Sequence, residues 1–251
     1  MSLTLIKPSK DSIAIAYMQE PGKSDLYVYI DPNKDNIKKM VITDLTQKYV
    51  ATPYIEKGQR CAVYISGPGG SGKSFWTAMF IKEIQKLKKY KSYPVYLFCG
   101  SSLIDPAFEN IKNLNTINIY DDNLFRLTME EFKECIVLYD DYESITDKNI
   151  KNFLDALLKS LLELSRKQHT IILTINHMTT NYNQTRHTIF ESDTFCLFPS
   201  ANMNSVLKFL KNYMDFTKEQ LEDIKSLKTR AIVVRKNAPR YLISEKQIWL
   251  L

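Results

Sequence analysis

The tightest constraint on this chain is a cluster of glycines, in the stretch YISGPGGSGKSFW from Tyr64 to Trp76. The 251 residues include seven glycines, and four of them, Gly67, Gly69, Gly70 and Gly72, fall here. A short apolar run, Cys61–Ser66, precedes the cluster. After it Trp76, Phe80, Ile84 and Leu87 recur at helical spacing. Glycines between a strand and a helix let the backbone wrap so that its N–H groups point at an anion, where the positive end of the helix dipole adds to the attraction.

The spacing from Gly67 to Ser74 matches GxxxxGK[ST], the P-loop pattern. In it Lys73 reaches the β- and γ-phosphates of a nucleotide as a point charge, and the Ser74 hydroxyl ligates Mg²⁺. The expected nucleotide-binding set is Gly67, Pro68, Gly69, Gly70, Ser71, Gly72, Lys73, Ser74 and Phe75. ATP and Mg²⁺ are the expected ligands.

Further buried-strand runs follow: YPVYLFC (Tyr93–Cys99), TINIY (Thr116–Tyr120), CIVLYDD (Cys135–Asp141), TIILTI (Thr170–Ile175) and DTFCLF (Asp193–Phe198). Between them lies an amphipathic helix carrying Ile150, Phe153, Leu154, Leu157, Leu158, Leu161 and Leu162 on one stripe, and a further helix follows with Met203, Val206, Leu207 and Leu210. Buried strands separated by helices predict an α/β fold with a mostly parallel central sheet flanked by helices. RAIVVRK and RYLIS, around Asn237-Ala238-Pro239, predict a C-terminal β-hairpin. Residues 1–59 read as an N-terminal extension or small subdomain with strands at Ser12–Tyr17 and Asp25–Asp31, and 60–251 as the main domain.

The second half of a nucleotide site is expected where strands end in polar residues. Asp140, at the end of the run Ile136–Tyr139, suits a Mg²⁺ ligand. Asp141 suits the base that orients the attacking water, with Glu143 in reserve. Asn176, after TIILTI, is a candidate contact to the γ-phosphate or the water, or an amide that satisfies its own loop. His177 has no metal-ligand spacing to His169 or His187. Arg186 reads as a polar-loop arginine ahead of a strand, able to neutralise charge on a transferred phosphoryl group or to sit in a surface ion pair. Arg230, Arg235 and Arg240 compete for that role or for phosphate contacts to DNA.

Composition narrows the rest. The net charge of +6 is compatible with nucleic acid without requiring it. Lys82, Lys86, Lys88, Lys89 and Lys91 form a basic run that is either a solvated face or a DNA-facing one. Cys61, Cys99, Cys135 and Cys196 sit in apolar runs without CxxC pairing, as small core residues in a reducing compartment. No stretch approaches a membrane span or a signal-peptide core.

Four segments together resemble the DNA-packaging ATPases of large double-stranded DNA viruses and virophages, in the FtsK/HerA group of P-loop motors. They are GPGGSGKS, IVLYDDYES, TINHMTTNYNQTRHTIFESDTFCLFP and TRAIVVRKNAPRYLISEKQIWLL. The likeness covers about residues 60–251. It implies a RecA/ASCE-like motor that hydrolyses ATP at the borders of a homo-oligomeric ring, a hexamer or pentamer. That ring moves double-stranded DNA into a preformed capsid, with capsid vertex proteins as partners and no membrane. It implies Asp140 as metal ligand, Asp141 as base, Asn176 as a sensor-like residue and Arg186 as a finger acting in trans. The expected setting is the host cytoplasm, in viral factories, with the virion as a second place. Where relatives outside the viral branch carry Glu after the metal-binding Asp, this chain has Asp141, which leaves the base open between Asp141 and Glu143. Two rival readings use the same P-loop: a nucleotide or nucleoside kinase, and a nucleotide-binding interaction protein that does not hydrolyse.

Overall fold

The computed structural model describes residues 1–101, 103–177 and 182–251. By internal contacts the chain divides into two compact units: Ile55–Asp193, and Met1–Tyr54 together with Thr194–Leu251.

The N-terminal part of the second unit contains β1 (Ser2–Thr4), β2 (Ala14–Gln19), β3 (Leu26–Asp31), β4 (Lys39–Val41) and β5 (Lys48–Ala51). Four of these form an antiparallel sheet in the order β1-β3-β2-β5.

The unit Ile55–Asp193 contains β6 (Cys61–Ser66), α1 (Lys73–Lys86), β7 (Val95–Cys99), β8 (Leu114–Ile117), β9 (Ile136–Asp140), α2 (Lys148–Gln168), β10 (Ile171–Asn176) and α3 (Tyr182–Glu191). Its five strands run parallel in the order β6-β10-β9-β7-β8. Every residue of β6, β9 and β10 is buried, which is why these runs are continuously apolar rather than alternating. The α2 stripe Leu154, Leu157, Leu158, Leu161 and Leu162 packs in one core with Ala62, Phe98, Val137, Tyr139 and Ile172. Within that core the Phe98 and Tyr139 rings stack at 4.8 Å. Val63, Ile65, Leu138 and Leu173 alternate to the opposite face and are equally buried. Asp147 caps α2, accepting from the Asn149 and Ile150 N–H groups at 2.8 and 3.1 Å. His169 ends the helix in the left-handed region.

The order of strands fixes the site. The P-loop strand β6 is separated from β9 by β10, and the register aligns Ser66 with Asn176 and Cys99 with Asp140. The carboxyl ends of β6, β10, β9 and β7 therefore meet at one edge, where open α/β sheets bind ligands.

The remainder of the second unit contains β11 (Thr194–Leu197), α4 (Pro199–Met214), α5 (Lys218–Ser226), β12 (Ile232–Arg235), β13 (Tyr241–Ser244) and β14 (Gln247–Leu250). β12 and β13 form the expected hairpin. The antiparallel order β11-β12-β13-β14 is completed by β4 from the N-terminal segment. The α/β class, the parallel strands around the glycine cluster and the terminal hairpin agree with the sequence reading. All four cysteines are buried, and none is in a disulfide. Among the described residues, no helix is long and apolar enough to cross a membrane.

Candidate nucleotide site

The glycine cluster is a loop between β6 and α1. Gly70 and Gly72 adopt φ of 73° and 101°, a region that side-chain-bearing residues avoid. Gly67 donates its N–H to the Asn176 carbonyl at 3.3 Å, which ties the loop's entry to the end of β10. Gly72 begins α1 without a side-chain cap, and no acid lies in the first turn. The leading N–H groups of α1 thus have neither of the usual protein partners at a helix start, the arrangement that suits an anion. Lys73 is 7% exposed. Its ammonium donates to the carbonyl oxygens of Gly67 at 2.9 Å and Pro68 at 3.0 Å. Burial lowers its pKa, against the opposing pull of Asp141, Asp140 and Glu143. Ser74 is half-buried beside it, and Phe75 is exposed.

Asp140 ends β9 at 5% exposure. Burial first, then the charges of Asp141 and Asp105, push its carboxyl up to about 7, against Lys73 and the Asp141 N–H. A divalent cation would relieve that cost. A buried carboxylate and a hydroxyl, Asp140 and Ser74, are the hard oxygen donors Mg²⁺ takes when phosphates and waters complete its shell. The described residues contain no cluster of three or more His, Cys, Asp or Glu able to hold a metal by themselves. Asp105, in the loop after β7, was not singled out from sequence.

Asp141 follows in the left-handed region, φ 49°. Its carbonyl accepts from the Ser144 N–H at 3.0 Å and the Ser144 hydroxyl at 2.6 Å, which locks the turn. Glu143 has its pKa raised by burial, partly offset by the His177 N–H it accepts. That bond runs from His177 N–H to Glu143 Oε2 at 3.2 Å, and His177 Nε2 lies 3.2 Å from Asp141 Oδ1. The histidine discounted as a metal ligand thus touches both candidate bases.

Asn176 is 1% exposed, and both its side-chain polar atoms are buried without a hydrogen-bond partner among the described residues. The structure therefore brings together Lys73, Asp140, Asp141 and Glu143, with Asn176 at the adjoining strand end. It corrects the local setting of Arg186, which lies on α3 rather than in a loop. There its exposed guanidinium sits 5.6 Å over the Phe190 ring. Residues 178–181 of the segment that carried part of the resemblance lie outside the described residues.

The competing arginines have structural neighbours. Arg235 is 4% exposed and lies 4.7 Å over the Tyr54 ring, while Arg240 donates to the Met214 carbonyl at 2.7 Å. His187 lies 3.5 Å from Glu163. In the basic run, Lys86 pairs with Glu83 at 2.6 Å, and Lys88, Lys89 and Lys91 are exposed.

No family model matches the chain. It is 28% identical over 247 residues to Uncharacterized protein V3 of Sputnik virophage, covering 97% of this chain and 96% of V3. Among solved structures it is similar to EssC (ATPases 2 and 3) from Geobacillus thermodenitrificans, with a TM-score of 0.53 and 11% identity, over 98% of this chain and 46% of that one. The genome packaging NTPase B204 from Sulfolobus turreted icosahedral virus 2, in complex with ATP-gammaS, matches with a TM-score of 0.48 and 13% identity, over 74% of this chain and 97% of that one. The chain is a homologue of the virophage protein V3, built on the fold of the P-loop ATPases.

Proposed function

We propose that the protein is a Mg²⁺-dependent ATPase that drives double-stranded DNA into a preformed capsid as a homo-oligomeric ring. The observation that carries the ATPase part is the meeting of Lys73, Asp140 and the Asp141–Glu143 turn at the carboxyl edge of β6, β10 and β9. The packaging part is supported by the sequence resemblance to viral packaging ATPases and by homology to a virophage protein of matching length.

In this reading the loop N–H groups and Lys73 hold the β- and γ-phosphates, while Ser74 and Asp140 hold Mg²⁺, which when bound neutralises charge on those phosphates. Asp141 orients the attacking water and accepts its proton, with Glu143 as the second acid of the turn. Asn176, tied through its carbonyl to Gly67, responds to the phosphate beyond the loop. Arg186, on an exposed part of α3, completes the site of a neighbouring subunit.

The test is hydrolysis of Mg-ATP by the purified protein with and without linear duplex DNA at low salt. DNA-stimulated phosphate release, lost in Lys73→Ala, is expected. Transfer of phosphate to an added nucleoside monophosphate, with no response to DNA, would replace this reading with a kinase.

A further inference from the structure

We propose that His177 is a positioning residue for hydrolysis, holding the Asp141 carboxylate in place through its imidazole ring. The inference rests on the ATPase reading above and adds a residue to it.

Thirty-six positions separate His177 from Asp141, and the two meet because β10 lies beside β9 in the sheet. His177 is the first residue beyond β10, one past Asn176, whose carbonyl holds Gly67. It makes two contacts of different kinds. The main-chain N–H is donated to Glu143, so that tie depends on backbone alone. The ring reaches Asp141, so that tie depends on the side chain. The turn backbone is already fixed by the Ser144 bonds to the Asp141 carbonyl, leaving the direction of the Asp141 carboxylate as the adjustable part.

Core packing does not account for the ring. The His177 and Asp141 side chains are 47% and 41% exposed, so the described residues enclose neither. A short carboxylate on a left-handed residue, in reach of solvent, samples several directions unless something holds it. A base must sit within hydrogen-bond reach of one water position, and an imidazole nitrogen at 3.2 Å selects the direction. The arrangement also separates the two acids: Glu143 is held by an element that no side-chain change removes, and Asp141 by one that a single substitution removes.

The experiment compares wild type, His177→Ala and His177→Gln, the last retaining an amide nitrogen near the position of Nε2. Steady-state ATP hydrolysis, affinity for a non-hydrolysable ATP analogue and thermal melting are measured on each. His177→Ala is expected to lower kcat about tenfold or more while KM and analogue affinity stay within about twofold. His177→Gln is expected to recover most of the rate. In single-turnover assays, adding His177→Ala to Asp141→Ala should cost nothing further, whereas adding it to Glu143→Ala should still cost about tenfold. An unchanged kcat in His177→Ala, an equal loss in analogue affinity, or no recovery in His177→Gln would overturn the positioning role while leaving the ATPase reading intact. A wild-type protein that does not turn over Mg-ATP would overturn that reading, and this role with it.

Discussion

A β-carbon on Gly100 would collide with the carbonyl oxygen of Asp141. Gly100 also donates its N–H to the Asp140 carbonyl at 2.9 Å, so the residue after β7 runs directly against the acid-bearing turn. Only glycine permits that approach, and the colliding atom is backbone that cannot swing aside. Gly100→Ala is expected to destabilise the fold by about 1–3 kcal/mol and to lower ATP hydrolysis by displacing Asp141. Urea unfolding and phosphate release measure the two effects, and a fully active, equally stable variant would contradict the geometry.

The titration of Asp140 gives a signed prediction. Its folded pKa of about 7 lies above the ordinary carboxylate value of 3.8, so the folded state keeps a proton that the unfolded chain has lost. Stability is then full below about pH 4 and declines as pH rises through about 7, by up to about 4 kcal/mol. Asp140→Asn should flatten that decline and leave the nucleotide-free protein more stable than wild type at pH 8. Mg²⁺ with nucleotide should raise the melting temperature of wild type at pH 8 and do much less for the variant.

Asp193 offers a test of the scaffold alone. At 2% exposure its carboxylate accepts the Ala62 N–H at 2.9 Å, and its own N–H is donated to the Ala62 carbonyl at 3.0 Å. Asp193→Ala leaves the buried Ala62 N–H without that acceptor and should cost about 1.5–3 kcal/mol in chemical denaturation. Asp193→Asn, which retains an acceptor, should cost less.

For Arg186 the informative experiment is a mixture. Arg186→Ala alone should lower hydrolysis by about 10³-fold or more, and Lys73→Ala alone should abolish it. Combining the two inactive proteins should restore part of the rate, because some borders then pair an intact Lys73 with an intact Arg186. A mixture as inactive as its components would rule out action in trans.

What the sequence made legible was local. The runs that became β6, β9 and β10 are buried on both faces, so they stood out as apolar blocks, each followed by its polar candidates. The α2 stripe was visible for the same reason. The helix bearing Arg186 was not: YNQTRHTIFE lacks an apolar stripe, and the residues it buries include Thr185 and Thr188. Polar residues buried on a helix face look like loop in a pattern of hydrophobicity. β14 escaped notice because four residues at the end of a chain carry little periodicity. The contacts of His177 with Asp141 and of Gly100 with the same turn depend on strand order, which no segment reveals by itself.

Lys73 is bonded to its own loop before any ligand arrives. With two loop carbonyls already accepting from Lys73, one of the three ammonium N–H donors is left, and a ligand that engages more than that one must displace a neutral acceptor. Such an exchange favours a ligand only if its oxygens carry more negative charge than an amide carbonyl does. The loop is thereby a filter for charge before it is one for shape. A neutral molecule with the outline of a phosphate would gain little from Lys73, while a polyanion would be drawn to the same side chain that otherwise bonds the loop's own carbonyls.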